Sequence, residues 1–162
     1  MSRQLLITLW VGLIVIGVIV YSTVAVNQGH LLTLTGSITD VRVAELSPEA
    51  TLVILDFSAQ NPSAVGFEMK ELAVERVDGA KGDPLSKVEA TRYMEYAKLA
   101  QPNPPLGIGD RIGAGKTVQR MIAARFDAPA AGFATATYRI RFRHIENVDA
   151  EISGAVHKER KP

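Results

Sequence analysis

The sequence predicts a mainly β fold, an antiparallel β-sandwich with one short helical insert, preceded by a single N-terminal transmembrane helix. Three observations support this prediction. Residues 5–26 carry no charged side chain, the chain beyond them divides into short strand-like runs separated by Pro, Gly and Asn, and one segment near residue 90 has a helical pattern instead. The 162 residues leave room for one domain of ordinary size beside the anchor.

The uncharged stretch "LLITLWVGLIVIGVIVYSTVAV", residues 5–26, would span roughly 33 Å as a helix, enough to cross a bilayer and contact membrane lipid. Thr23-Val24-Ala25 also resembles the end of a cleaved signal peptide, but the apolar run is longer than such peptides need. We therefore expect a retained anchor. Thr8 and Gly12 are candidate helix-packing residues, and the alternative is a helix that faces lipid alone.

Charges beside this stretch predict its orientation. Arg3 precedes it, whereas no Lys or Arg occurs from Asn27 to Val41. Residues 1–4 are expected in the cytoplasm and residues 27–156 on the extracytoplasmic, periplasmic side of the plasma (inner) membrane. Residues 157–162, "HKERKP", are predicted to be a polar tail.

Strand-like runs follow in order: "HLLTLTGSITDVRVAEL", "TLVILDFSAQNP", "VGFEMKELAVERVDG", the stretch 117–127, and "FATATYRIRFRHIENV". In the last run, alternation puts Ala136, Tyr138, Ile140, Phe142 and His144 on the core face. His144 is expected to be a satisfied core or rim residue. Between the third and fourth runs, a helix is predicted at about residues 86–99, beginning at Asp83-Pro84 or at Ser86 with Glu89.

The stretch "GIGDRIGAGKT", residues 107–117, ends like a phosphate-binding loop. Such a loop needs a glycine where this chain has Asp110, and it must lead into a helix. The residues that follow are typical of a strand. We therefore predict a glycine-rich turn and no nucleotide binding.

Composition and motifs indicate neither nucleic acid nor a cofactor. The 18 basic and 17 acidic residues nearly balance, no cysteine is present, and the three histidines are scattered. Because neither a nucleophile beside a base nor a metal-ligand cluster stands out, we expect no catalytic, cofactor-binding or metal residues.

Two segments are candidate partner contacts. The loop 101–116 is rich in proline and glycine, and it is interpreted equally well as an interface or as a flexible connection. The outward face of the last run carries three arginines that would contact anionic headgroups or carboxylates, or that pair with acidic neighbours as a solvated face. The predicted contact residues are Pro104, Pro105, Leu106, Ile108, Arg139, Arg141 and Arg143.

A strand that closes on Asn61-Pro62, a small-residue connection and a second strand resemble the opening of the Ig-like β-sandwich of late-embryogenesis-abundant water-stress domains. The later "IGAGKTVQRMIAARFDAP" resembles the glycine turn and penultimate strand of that group and of telokin-like bacterial lipoprotein domains. The likeness covers about residues 45–145. It implies an Ig-like scaffold or binding module without catalytic residues.

The sequence therefore predicts a noncatalytic, single-pass protein that serves as an accessory or scaffold subunit of a larger membrane complex. The alternative is a free-standing envelope binding module for a small ligand or peptide. A large pocket between the sheets would favour the alternative.

Overall fold

The computed structural model describes Trp10, residues 12–22 and residues 32–154. The chain forms two compact units, Met1–Leu31 and Leu32–Pro162. In the first unit, residues 12–22 form helix α1, in which the Ser22 hydroxyl donates to the carbonyl of Val18 at 2.6 Å. Among the described residues, none of the helices has both the length and the apolar character that crossing a bilayer requires. The predicted helix 5–26 lies only partly within the described residues, and Thr8 lies outside them.

Within residues 32–154, the described part of the second unit, the chain forms eight strands and one helix. Their bounds are β1 Thr35–Ser47, β2 Ala50–Gln60, β3 Phe67–Arg76, β4 Lys81–Pro84, α2 Lys87–Tyr96, β5 Arg111–Ile112, β6 Thr117–Phe126, β7 Tyr138–His144 and β8 Asp149–Gly154.

The strands form one antiparallel sheet in the order β1-β2-β6-β4-β3-β7-β8, with β5 paired to β3. Strand β4 joins the two halves, because Gly82 pairs with β3 and Pro84 pairs with β6. The sheet curls until its edges approach each other: a Cβ atom on Gly154 of β8 would lie 3.4 Å from Ile38 of β1. The predicted sandwich is thus a single curled sheet that is continuous through β4.

The main core lies inside this curl and is rich in aromatic rings. Phe57 of β2 lies 5.8 Å from Phe142 of β7, and Phe126 of β6 lies 6.3 Å from Tyr138, measured between ring centroids. These pairs join the two halves of the sheet. The inward positions predicted for β7 are confirmed, since Tyr138, Ile140, Phe142 and His144 are all buried.

Strand β2 is buried on both faces, which explains its dense apolar sequence. Alternate side chains such as Val53 and Leu55 enter the main core, whereas Leu52 and Ile54 pack against α2 in a second cluster. The helix therefore covers the outer face of β2 and β6.

The predicted helix at 86–99 is shorter than expected, and its start is the second of the two predicted starts. Ser86 forms a capping box with Glu89: the Glu89 N–H donates to the Ser86 hydroxyl, and the Ser86 N–H donates to the Glu89 carboxylate.

Sequence analysis missed strands β4, β5 and β8. Because two strands follow it, β6 is not the penultimate strand that the family resemblance implied.

Candidate interaction surfaces

The proline-rich segment after α2 packs against its own domain. The Met121 N–H of β6 donates to the Pro104 carbonyl at 3.1 Å, and the Leu106 N–H donates to the Met121 carbonyl at 2.8 Å. Pro84 of β4 pairs with the same strand at Ala124. The segment therefore continues the sheet where β4 ends.

The chain then crosses to β3. The Gly109 N–H donates to the Met69 carbonyl at 2.8 Å, and the Met69 N–H donates to the Asp110 carbonyl at 3.0 Å. Ile112 of β5 next pairs with Phe67. The loop thus closes the seam between β6 and β3, so most of it is docked on its own chain rather than free.

Asn61 fixes the far end of this loop from a fully buried position. Its amide nitrogen donates to the carbonyls of Val65 at 2.8 Å and Ile112 at 3.0 Å. Its amide oxygen accepts from the Ser63 N–H at 3.1 Å. The Asn-Pro pair that carried the family resemblance therefore organises the connection between β2 and β3.

The four loop residues predicted to contact a partner have different environments. Leu106 is 3% exposed and belongs to the main core, and Pro105 is partly buried. Pro104 is exposed, and Ile108 is 70% exposed at the outer turn of the loop. The surface that the loop offers to a partner is therefore centred on Ile108.

A surface groove of about 540 Å³ lies beside Ile108. Leu72, Pro84 and Leu85 form apolar walls, and an ion pair between Lys87 and Asp110 lies at its rim. Apolar walls with a few charged groups at the rim suit an apolar side chain of a partner. Sequence analysis missed Leu72, Pro84 and Leu85, because they converge from separate elements and share no local motif.

The three arginines of β7 point outward and lie between two rows of carboxylates. Arg143 contacts Glu71 of β3 at 3.0 Å and Asp149 of β8 at 2.9 Å. The hydrogen bond between Arg143 and Asp149 raises the pKa of the arginine and lowers the pKa of the aspartate. This arginine is therefore paired within the chain.

The other two arginines share Glu151. Arg139 Nε lies 2.9 Å from a Glu151 oxygen, an ion-pair distance without hydrogen-bond alignment. Arg141 is held more loosely, at 3.5 Å from Glu151 and 3.6 Å from Glu75. The positive charge of the three arginines is thus largely neutralised by the neighbouring carboxylates, which weakens the attraction of these arginines for anionic partners.

Three other residues bear on the sequence predictions. His144 is 5% exposed, its ring lies 5.1 Å from that of Phe67, and its Nδ1 accepts from the Glu146 N–H. Gly115 has a φ of +64° in the glycine-rich turn, which leads into strand β6 as predicted. Gly12, the described half of the predicted helix-packing pair, lies in α1 and is exposed.

No protein-family model matches the chain, and no curated protein matches its sequence. Among solved structures, it is similar to the ycdA protein of Bacillus subtilis, assigned as a lipoprotein, with a TM-score of 0.45 and 11% identity over 74% of this chain and 35% of that one. It is also similar to FlaG, the archaellum periplasmic stator protein of Sulfolobus acidocaldarius, with a TM-score of 0.35 and 12% identity over 76% of this chain and 100% of that one. At these TM-scores, neither likeness carries a functional argument.

Proposed function

We propose that this chain is a noncatalytic, single-pass protein of the plasma (inner) membrane that serves as an accessory or scaffold subunit of a larger membrane complex. Its β domain would bind partner proteins on the extracytoplasmic side. The observation that carries the proposal is the filling of the domain interior. Six fully buried aromatic side chains occupy the space between the two halves of the sheet, where a ligand-binding sandwich would need a pocket: Phe57, Phe67, Phe126, Phe133, Tyr138 and Phe142.

The anchor in this proposal rests on the sequence. The 22 uncharged residues from Leu5 to Val26 are followed by the β domain, and Arg3 precedes them. The described part of the segment, residues 12–22, is helical, with apolar side chains at its surface such as Ile16, which is 63% exposed. Such a surface is suited to hydrocarbon or to other helices.

An Ig-like domain is also part of the proposal, and two observations support it. The halves β1-β2-β6-β4 and β3-β7-β8 correspond to the order ABED and CFG of the immunoglobulin constant type, with β5 as an addition. In addition, the Tyr138 hydroxyl at the start of β7 donates to the carbonyl of Phe133, five residues upstream, as in a tyrosine corner.

The docking surface in this proposal is Ile108 with its groove. Binding energy at protein interfaces is concentrated in a few side chains that the partner packs and desolvates, and Ile108, which is 70% exposed beside apolar walls, is available for such packing. The second candidate function, a free-standing envelope module that binds a small ligand or peptide, is favoured by the same groove. The two functions differ in whether a protein partner stays bound in stoichiometric amount.

The test is extraction of native membranes in mild detergent, purification of the full chain through a carboxyl-terminal tag, and native mass determination with identification of companions. We expect stoichiometric companions that survive washing. They should be lost from the variant Ile108→Asp, which puts a charge in the apolar contact, and retained in Val77→Asp. Val77 is the matched control, because it is 54% exposed and lies outside the groove. A lone full-length monomer would refute the subunit role and favour the binding module.

A further inference from the structure

We propose that residues 86–103, here named the cover, open as one unit while the curled sheet stays folded. The cover consists of α2 and the strap of chain that follows it. An ion pair between Arg42 and Asp56 lies beneath the cover and sets how readily it opens.

The two ends of the cover are fixed close together on one strand. Before it, the Leu85 N–H donates to the Ala123 carbonyl at 2.9 Å, and after it, the Pro104 carbonyl accepts from the Met121 N–H at 3.1 Å. Ala123 and Met121 are two residues apart on β6. The cover can therefore leave the surface without the loss of any strand pairing.

The apolar contacts of the cover are separate from the main core. Ala90 and Met94 are the buried residues of α2, and they pack on Leu52 and Ile54 of β2. These two β2 side chains lie on the opposite face of the strand from Val53, which enters the main core. Loss of the cover would leave the main core packed.

One polar contact of the cover is the ion pair of Lys87 with Asp110 at the groove. The polar contacts of the strap converge on Asp56, which is 2% exposed. One carboxylate oxygen accepts from the Asn103 amide at 2.9 Å, and the other pairs with Arg42 at 2.5 Å. Arg42 also donates to the carbonyl of Ala100. Asp56 and Arg42 therefore hold the strap from below.

A buried ion pair favours opening more than an apolar pair of the same size would. Both charges lost their hydration when the cover closed, and they regain it when the cover lifts. Removing the Asp56 carboxylate leaves Arg42 with the more distant Asp40, at 3.8 Å, as its charge partner, which makes the closed state costlier still. Opening would also bare the apolar side chains of Leu52, Ile54 and Met121, a second apolar surface that the closed domain conceals.

The test is native-state hydrogen exchange of the full chain in mild detergent, because a detached helix of ten residues unravels and releases its amide hydrogens. We expect the Met94 amide to exchange at least about 10-fold faster than the Ile122 amide of β6, and its exchange to depend less steeply on denaturant, because opening the cover exposes less surface than unfolding the sheet. The variant Asp56→Asn should accelerate Met94 exchange by a further factor of about 10 or more and leave the Phe142 amide of β7 unchanged.

The matched control is Asp149→Asn, the same substitution in an exposed ion pair of β8, which should not alter Met94 exchange. Equal rates and equal denaturant dependence for Met94 and Ile122 in the unmodified chain would overturn the proposal, as would equal effects of the two Asn variants. If Asp56→Asn does not fold, Asn103→Ala takes its place. It removes the hydrogen bond from the strap to Asp56, so it should accelerate Met94 exchange and leave the Phe142 amide unchanged, and an unchanged Met94 rate would overturn the proposal.

Discussion

Replacing Tyr138 with Phe removes a single oxygen atom from the corner before β7. The hydroxyl is buried and donates to the Phe133 carbonyl at 2.5 Å. Without it, that carbonyl stays buried and has lost this donor, which costs about 1–3 kcal/mol. We expect the free energy of unfolding of Tyr138→Phe to be lower by about 2 kcal/mol at pH 7.

The same side chain predicts a pH dependence with a definite sign. Burial raises the pKa of Tyr138 to about 12, from an ordinary value of 10.0. The stability that it contributes is therefore fully present below pH 10.0 and is lost as the pH rises towards about 12. A shift of this size corresponds to about 3 kcal/mol. The stability curves of the unmodified chain and of Tyr138→Phe should therefore meet between about pH 11 and 12.

The assay is urea unfolding of the full chain followed by circular dichroism, at pH values from about 7 to 12. Tyr96→Phe is the control, because Tyr96 is 78% exposed on α2 and its loss should leave stability unchanged. A difference between Tyr138→Phe and the unmodified chain that stays constant across this range would refute the reasoning, since a buried hydroxyl must ionise at higher pH in the folded state.

Three other perturbations have defined outcomes. Asn61→Asp removes the amide donor from three carbonyls and buries a carboxylate, so urea unfolding should show a loss of at least about 3 kcal/mol, and a smaller loss would contradict the buried network. Gly82→Val would bring a side chain into steric conflict with the Phe126 ring, which lies 2.5 Å from the position of a Cβ atom on residue 82. Thermal unfolding should show a loss of about 1–3 kcal/mol in the free energy of unfolding. An unchanged midpoint would disagree with that contact. The hydrogen bond from Arg143 lowers the pKa of Asp149 below 3.8, so the stability that this carboxylate contributes is present above that pH and is lost as the pH falls through the folded-state pKa. In Asp149→Asn, the free energy of unfolding should therefore fall less steeply with decreasing pH than in the unmodified chain. An equally steep fall would argue against the pair.

The strands that sequence analysis found are those with a strong local pattern. Alternation marks β7, and the dense apolar run of β2 ends at Asn61-Pro62, where the strand also ends. Strand β4 has the sequence "KGDP", which shows no alternation of apolar and polar side chains and ends in proline. Its pairing depends on the strands on both sides of it, and no local pattern predicts that.

The site was predictable to a smaller extent. Ile108 was named, but Leu106, two residues earlier, was placed with it although it is buried in the main core. A proline-rich segment is usually exposed. This one joins the sheet through backbone hydrogen bonds to Met121, which is distant in sequence from the start of the segment, so no local pattern predicts it. Strand β8 was missed although Ala150 and Ile152 alternate with Asp149 and Glu151, a period-two signal that local reading could have used.

The measurement that tests the docking role most directly is site-specific photocrosslinking in native membranes, with a photoreactive amino acid at position 108 and, separately, at position 77. Both side chains are exposed, and only Ile108 lines the groove. The account predicts one discrete protein adduct from position 108 and none from position 77. No adduct from position 108, or the same adducts from both positions, would contradict it.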